Sequence, residues 1–304
     1  MKIKDIGEIK LIERVSRRIR LDRSVIQGIG DDAAVIAWKK DKHLLYACDM
    51  LVEDVHFRRS AVTPAQIGWK ALGRNISDIA AMGGVPRYAV VSIGIDPKIP
   101  VSFVDGIYDG MRAAAGRFKV NIVGGDMSKS KKTVIDVSII GEVEKKNLVR
   151  RSGAKAGDLI LVTGSLGGSI RGKHVTFVPR VDEARWLVNN FRINSMIDIS
   201  DGLLLDLRRI LEASGAGALL DEALIPVSKA ARSLERAITD GEDFELLFTM
   251  DPVEAERLFR AVPADMSTPI TLIGQVTNKK DGYMMMAAGR KRKAIKGGGY
   301  QHFL

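Results

Sequence analysis

Short apolar runs alternate with amphipathic segments along almost the whole chain, and this alternation limits the folds open to it more than any other feature. Ten runs are predicted as β-strands: residues 33–38, 43–49, 87–95, 119–125, 133–143, 158–164, 195–200, 217–221, 243–250 and 270–276. Helices are predicted over 64–83, 103–116, 181–191, 201–215 and 251–262, with an amphipathic helix within residues 1–20. The pattern indicates α/β or α+β architecture rather than a helical bundle or a β-sandwich.

Length and composition indicate two domains. A chain of 304 residues with 46% hydrophobic content can bury a core in each of two domains. The charged stretch "EKKNLVRRSGAKAGD" is typical of a boundary, so we expect domains of residues 1–145 and 146–304. The chain has no apolar stretch long enough to cross a membrane and no apolar centre typical of a signal peptide. We therefore expect a soluble cytoplasmic protein without a membrane partner.

Cysteine content and charge exclude further classes. Cys48 is the only cysteine, which excludes an internal disulfide and a thiolate-rich zinc site. The net charge of +10 is compatible with nucleic-acid binding, because lysine and arginine contacts to phosphate give sequence-independent affinity. However, the basic runs "KSKK", "EKKNLVRR" and "GRKRKAIK" lack the interleaved aromatic residues on which single strands stack. A nucleic-acid partner is therefore not expected.

Acidic residues recur in one kind of setting, after an apolar run or on the inner side of a turn or helix made of small and apolar residues. Seven aspartates share it: Asp31, Asp32, Asp49, Asp78, Asp126, Asp198 and Asp201. A single aspartate of this kind is more often a helix cap or a turn former. Several carboxylates brought together would raise one another's pKa unless a cation compensated them, and Mg²⁺ prefers oxygen ligands and substrate phosphates. Magnesium with a nucleotide phosphate is therefore the leading hypothesis.

Other catalytic motifs are weak or missing. The segment "GGSIRGKH" nearly matches a phosphate-binding P-loop, but His174 stands where serine or threonine should reach Mg²⁺, and a strand-like run follows instead of a helix. We interpret this match as a coincidence in a flexible loop. The chain has no glycine-x-serine-x-glycine elbow, and its four histidines show no metal-ligand spacing. Phosphoryl transfer is the reaction class that fits best.

Read in order, the motifs resemble those of the thiamine-monophosphate kinase family, within the superfamily that also holds aminoimidazole ribonucleotide synthetase. The matching stretches are "GIGDDAAV", "CDMLVEDVHF", "KALGRNISDIAAMGGVP", "VGGDMS", "RRSGAKAGDLILVTGSLG", "IDISDGLLLDL", "DGEDFELLFT" and "GGGYQHF". The resemblance implies in-line transfer of the γ-phosphoryl group of ATP, the co-substrate, to thiamine monophosphate, assisted by several Mg²⁺ ions. Because the accepting phosphate oxygen is already ionised, no general base is required.

The resemblance also implies roles for individual residues. The implied metal ligands are Asp32, Asp49, Asp78, Asp126, Asp198 and Asp201, with Cys48 offering backbone oxygen and Asp31 as a second ligand or a group that holds the loop. Asp126 and Asp201 are the catalytic pair. The implied nucleotide contacts are Tyr108, Gly125, Asp126, Arg151 and Ser200, and the implied thiamine contacts are His56, Glu242 and Tyr300. Taken singly, the tyrosines could also simply pack, Arg151 could be a solvated charge, and His56 could be a satisfied half-buried ring.

The fold implied by the resemblance is the two-domain aminoimidazole ribonucleotide synthetase-like fold. Its N-terminal α/β sheet pairs across a homodimer, and its C-terminal domain is α+β. The sequence departs from the family pattern at Ala47 and Cys48, where serine or threonine is common, and at Asp240, where glycine is common. The segment between "VTGSLGGS" and "FVPRV" is also short by a helix's length.

Two alternatives to the kinase remain open from sequence. One is a related ATP-using enzyme of the same superfamily that acts on another phosphate acceptor. The other, from a different class, is a basic nucleic-acid-binding protein that keeps the fold without the activity. Selenophosphate synthetase is disfavoured, because no reactive cysteine lies near the N-terminus.

Overall fold

Two mixed β-sheets organise the chain. The computed structural model describes residues 5, 7–17, 19–281, 284–288, 291–295, 298–300 and 302. The first sheet has the order β1-β2-β3-β6-β4-β5, in which β4 and β5 are parallel and the other neighbours antiparallel. Its strands are β1 (Val25–Gln27), β2 (Ala34–Ala37), β3 (Lys42–Val52), β4 (Val85–Ile95), β5 (Asn121–Lys129) and β6 (Val134–Glu144).

Three helices accompany the first sheet: α1 (Gly7–Ser16), α2 (Pro64–Ala81) and α3 (Val101–Phe118). Helix α2 begins at a capping box, in which the Thr63 side chain accepts the Gln66 N–H and the Gln66 side chain accepts the Thr63 N–H. Helices α2 and α3 pack together on one face of the sheet. They approach so closely that a Cβ atom added at Gly68 would lie 1.8 Å from the Ile107 carbonyl oxygen, so this crossing requires glycine.

The second sheet has the order β13-β12-β9-β11-β7-β10-β8, in which β9 and β12 are parallel and the other neighbours antiparallel. Its strands are β7 (Leu159–Thr163), β8 (Ser195–Asp198), β9 (Ala216–Asp221), β10 (Leu246–Met250), β11 (Ile270–Asn278), β12 (Met284–Ala288) and β13 (Lys291–Ala294). The helices that follow α3 are α4 (Val181–Asn190), α5 (Leu203–Ser214), α6 (Leu234–Thr239) and α7 (Pro252–Ala261).

Helix α2 joins the two sheets. Besides the first sheet it contacts α4 and β8, and one buried cluster contains Ile76 of α2, Leu187 of α4 and Phe248 of β10. A second cluster lies between α5 and the second sheet. The end of β8 is thereby held against α2. Polar residues on the side of α2 that contacts β8 consequently face the loops at the ends of the second-sheet strands.

The ten predicted strands and the five predicted internal helices are all present. Strands β1, β12 and β13 and helix α6 were not predicted. The expected N-terminal helix is confirmed over Gly7–Ser16, while residues 1–4, 6 and 18 lie outside the described residues. The near-P-loop segment forms two short 3-10 turns, not a helix. Over the described part of the chain, no helix has the length and apolar character needed to cross a membrane.

Candidate active site

Three carboxylates from distant parts of the sequence meet where α2 faces the second sheet. Asp32 precedes β2, Asp78 lies on α2 and Asp198 ends β8, and their oxygens lie within 4.8 Å of one another. We call these three residues the acidic cluster. The Ser77 hydroxyl donates a hydrogen bond of 2.5 Å to Oδ2 of Asp198, whereas Oδ2 of Asp32 is buried and accepts no hydrogen bond from the residues that the structure describes.

The acidic cluster has more negative charge than its surroundings compensate. Burial first, and then repulsion between the carboxylates, raises the pKa of Asp78 and of Asp198 well above the usual range for aspartate. An unpaired buried carboxylate oxygen costs free energy unless a cation or a proton meets it. Three convergent carboxylates, one with a free oxygen, therefore fit a hard divalent cation such as Mg²⁺.

Arginines pair with Asp32 of the acidic cluster and with the aspartates on its margins. Arg74 lies four residues before Asp78 on α2, so both side chains project from the same side of the helix. Arg151 had been predicted as a nucleotide contact, whereas Arg74 and Arg209 had not been predicted. The closest nitrogen–oxygen distances are 3.0 Å for Arg74–Asp49, 2.5 Å for Arg151–Asp32 and 2.6 Å for Arg209–Asp201.

The adjacent carboxylates Asp31 and Asp32 have different environments. Asp31 accepts the backbone N–H groups of Asp32 and Arg151, at 3.1 and 3.2 Å, and its oxygens therefore hold the loop together. Burial, with a further contribution from Asp32, raises the pKa of Asp31 to about 6. Only Asp32 of this pair belongs to the acidic cluster as the structure describes it.

Asp206, which the sequence did not single out, holds the loop that carries Ser200 and Asp201. Its carboxylate accepts the N–H groups of Asp201 and Gly202 at 3.0 and 3.1 Å and an ion pair from Arg209. Burial raises the pKa of Asp206 to about 7 against the opposing charge of Arg209. The sequence feature that could have identified Asp206 is its position in the first turn of α5 after a glycine, where a carboxylate can accept hydrogen bonds from free N–H groups.

Glu242 lies beside this loop in a network centred on a buried lysine. The Lys70 ammonium is 2.6 Å from the Glu242 carboxylate, 3.0 Å from Nδ1 of His174 and 2.8 Å from the carbonyl oxygen of His56. We call these four residues the Lys70 network. Burial acts to raise the pKa of Glu242, but the charge and the hydrogen bond of Lys70 lower it to about 2.

The predicted thiamine contacts His56 and Tyr300 lie near one another. The His56 ring accepts the Val52 N–H and meets the His302 ring edge-on at 5.3 Å, and the Tyr300 ring meets the same His302 ring at 4.9 Å. Burial, then the charge of Arg74, lowers the pKa of His56 to about 4. The Tyr300 N–H donates to the Asp201 carbonyl oxygen at 2.9 Å, so the C-terminal segment is bound to the loop that carries Ser200 and Asp201. Gln301 and Phe303 of the terminal motif lie outside the described residues.

Other predicted site residues lie apart from the acidic cluster within a single chain. Asp126 and Gly125 lie on edge strand β5, three strand spacings or about 14 Å from Asp49 on β3. Asp126 is exposed, and Gly125 has a packing explanation, because a Cβ atom there would lie 1.8 Å from the Val91 carbonyl oxygen. Tyr108 on α3 packs against the buried cluster that contains Ile76 and Phe248. Cys48 is exposed, next to Asp49, whose side chain lies on the inner face of the sheet.

Comparison with family models defines the class of protein. Residues 30–143 match the AIR synthase related protein N-terminal domain, and residues 168–287 match the corresponding C-terminal domain. The two-domain, two-sheet fold is therefore that of an AIR synthase related protein.

Similar proteins narrow this class. The chain is 38% identical to thiamine-monophosphate kinase from Rhodopirellula baltica over 90% of each chain. It is 35% identical to thiamine-monophosphate kinase from Bacillus subtilis over 98% of this chain and 100% of that one. A solved structure described as AaThiL complexed with AMPPCP and TMP matches 99% of both chains with a TM-score of 0.85 and 30% identity. The chain belongs to the thiamine-monophosphate kinase family.

Proposed function

We propose that this protein transfers the γ-phosphoryl group of ATP to the phosphate of thiamine monophosphate, giving thiamine diphosphate. The observation that carries the proposal is the match, over 99% of both chains, to a structure that holds AMPPCP and TMP. The chemistry of the acidic cluster agrees with it, because a reaction between two anionic phosphates needs concentrated positive charge and precise positioning. The accepting oxygen is already ionised, so the site needs no buried general base.

Magnesium is the proposed resident cation. Asp32, Asp78 and Asp198 would hold it, because their carboxylate oxygens converge and burial raises the pKa of Asp78 and Asp198. Asp49 and Asp201, which pair with Arg74 and Arg209, are proposed as ligands of further ions. When bound, the ions neutralise phosphate charge and align the reacting groups. Arg74, Arg151 and Arg209 keep the surrounding carboxylates in place through their ion pairs. Ser200 and Tyr300 fix the loop through backbone hydrogen bonds to Glu242 and Asp201.

We also propose that the protein works as a homodimer joined through the open face of the first sheet. On that face Tyr46, Met50, Tyr88 and Val90 are exposed, each by more than 40%, although they lie in the middle of β3 and β4. Contiguous exposed apolar residues of this kind are typical of an interaction surface. Asp126 is exposed on edge strand β5, and about 14 Å separate this strand from Asp49 on β3 within one chain. We therefore propose that Asp126 serves the site of a second copy.

Replacement of Tyr88 by lysine tests the dimer. We expect Tyr88→Lys to elute and sediment as a monomer and to lose turnover. Phe259→Lys, which replaces an aromatic residue that is 45% exposed on α7, should leave the assembly state unchanged. A fully active monomer would contradict the second-copy role of Asp126.

Two further proposals concern organisation. The boundary between the domains is proposed at residues 145–146, directly after β6 ends at Glu144 and before β7 begins at Leu159. A cytoplasmic location is proposed because ATP is the phosphate donor.

The proposed activity is tested with purified protein, ATP, Mg²⁺ and thiamine monophosphate, with thiamine diphosphate measured by chromatography. We expect product that depends on all three additions and is absent when EDTA is present. Omitting each component in turn and replacing thiamine monophosphate by thiamine are the controls. Absence of product, together with salt-sensitive RNA binding, would favour the alternative of a basic nucleic-acid-binding protein.

A further inference from the structure

Lys70 lies on α2 with a fully buried side chain, and each of its three ammonium hydrogens has a partner from a different segment of the chain. These partners are the backbone oxygen of His56, Nδ1 of His174 and the carboxylate of Glu242, whose two oxygens lie 2.6 and 2.7 Å away. A fully buried lysine is rare unless it is paired. The ammonium therefore fixes two residues that belong to the thiamine end of the proposed site.

The carboxylate of Glu242 depends on this lysine for its charge. Burial lowers the pKa of Lys70, and the neighbouring Glu242 opposes that change. In return, the charge and the hydrogen bond of Lys70 stabilise the ionised form of Glu242. With the ammonium removed, the carboxylate would lie mostly buried beside an imidazole alone, and both its orientation and its ionisation would change.

The near-P-loop segment, residues 167–174, is bound to carboxylates of the chain and places His174 beside Lys70. The backbone N–H of Gly167 donates to Asp243 at 2.8 Å and that of Gly168 donates to Asp240 at 3.0 Å, while the Ser169 hydroxyl also donates to Asp243. Carboxylates of the chain thus occupy the N–H groups that a P-loop would offer to phosphate. The segment ends at His174, whose Nδ1 contacts the Lys70 ammonium.

The backbone at Glu242 is held in a conformation that side chains rarely adopt. Glu242 has φ +64° and Phe244 has φ +51°, and both are non-glycine residues in the left-handed region. Their N–H groups donate to the carbonyl oxygens of Ser200 and Ile199 at 2.7 and 2.8 Å. Such strained residues persist where the surroundings fix them, and they concentrate at functional sites. Glu242 is thus held at two points: its backbone N–H bonds the loop that carries Ser200 and Asp201, and its carboxylate pairs with Lys70.

We propose that Lys70 is a positioning residue for the thiamine substrate: it sets the orientation and charge of Glu242 and the position of the His56 segment without contacting substrate itself. The inference rests on the proposed function, because it assigns Glu242 and His56 to the thiamine end. The substrate recognised there is a cationic aromatic ring, for which an ionised carboxylate and flanking rings are suitable neighbours.

The experiment compares Lys70→Met, Glu242→Gln and the double variant in steady-state kinetics with both substrates. We expect Lys70→Met to raise the KM for thiamine monophosphate by about tenfold or more, as loss of a buried charge-assisted hydrogen bond does, with the KM for ATP nearly unchanged. In the Glu242→Gln background, Lys70→Met should cause little further rise. Equal increases in both KM values, or an unchanged KM for thiamine monophosphate, would overturn the inference.

A matched control removes another lysine–glutamate ion pair. Lys173 is 2.7 Å from Glu245 and lies next to His174 in the chain, so Lys173→Met should lower the melting temperature without separating the two KM values. If Lys70→Met does not fold, the double variant, which removes both charges, remains informative. A higher KM for thiamine monophosphate in the double variant than in Glu242→Gln would mean that Lys70 acts on the substrate directly and would refute the positioning role.

The outcome separates this inference from the proposed function. Formation of thiamine diphosphate by the wild-type protein with unchanged KM values in Lys70→Met would refute only the role of Lys70. Absence of product and of calorimetric binding of thiamine monophosphate to the wild-type protein would refute the proposed function and the inference together.

Discussion

The acidic cluster and the Lys70 network lie on the same side of α2, and they differ in how completely their charges are paired. In the acidic cluster, the pKa values of Asp78 and Asp198 are raised, and Oδ2 of Asp32 accepts no hydrogen bond within the described part of the chain. In the Lys70 network the ammonium has three partners and the pKa of Glu242 is lowered. The first region needs positive charge from a ligand, whereas the second supplies its own. This difference indicates that the acidic cluster binds metal ions and phosphate, whereas the Lys70 network is already in place to bind an organic ring.

Neutralising one carboxylate of the acidic cluster should have the largest effect. We expect Asp198→Asn to lower kcat by on the order of 10³-fold or more, because a metal ligand contributes several kcal/mol to the stabilisation of developing charge. Asparagine can still accept the Ser77 hydrogen bond, so the fold should remain intact by circular dichroism. Asp182→Asn, on the exposed side of α4, is the control. Near-normal turnover of Asp198→Asn would mean that the cluster is structural.

Stabilisation by Mg²⁺ should separate the two regions without any assay of turnover. Mg²⁺ at about 100 times its Kd should raise the free energy of unfolding by about 3 kcal/mol, because it binds the folded state. We expect differential scanning calorimetry to show this gain in the wild type and in Glu242→Gln, but not in Asp198→Asn. Equal gains in all three proteins would place the ion outside the acidic cluster.

The near-P-loop segment gives a pH-dependent prediction. Burial raises the pKa of Asp243 to about 6 despite hydrogen bonds from Ser169 and Gly167. An acid whose pKa is higher in the folded than in the unfolded state binds more protons when folded, so its contribution to stability is lost as pH rises from about 4 through about 6. The shift corresponds to about 2 to 3 kcal/mol.

Urea unfolding between pH 4 and 7 measures this effect as a difference between proteins. Asp243→Asn should show a shallower fall in stability with rising pH than the wild type, whatever its absolute stability. Asp251→Asn is the control, because it removes a carboxylate that accepts a backbone N–H, that of Val253 at the start of α7, without touching the near-P-loop segment. Identical slopes for the wild type and Asp243→Asn would show that Asp243 titrates alike in both states.

The sequence predicted elements with strong periodicity and missed those without it. Strand β13 has four exposed residues, three of them basic, and therefore shows no apolar alternation, and α6 is too short for a helical period. The aspartates of the acidic cluster were predicted because each adjoins an apolar run. Lys70 was not, because one lysine in an apolar helix pattern usually lies on a solvated face, and its partners His174 and Glu242 are more than 100 residues away. Side-chain pairing across that separation is decided by tertiary packing.

The smallest effect we predict concerns Ser77, which links the acidic cluster to the core of α2. Its hydroxyl is buried and donates to Asp198, so Ser77→Ala should remove about 1 to 2 kcal/mol of stabilisation from the ionised carboxylate. The pKa of Asp198 would then rise further, and the Kd for Mg²⁺ should increase by roughly five- to thirtyfold in a calorimetric titration. Ser102→Ala, exposed on α3, should leave that Kd unchanged. An unaltered Kd in Ser77→Ala would mean that Mg²⁺ binding does not depend on the ionisation of Asp198, and the contrast between the two regions would then rest on Asp32 and Asp78 alone.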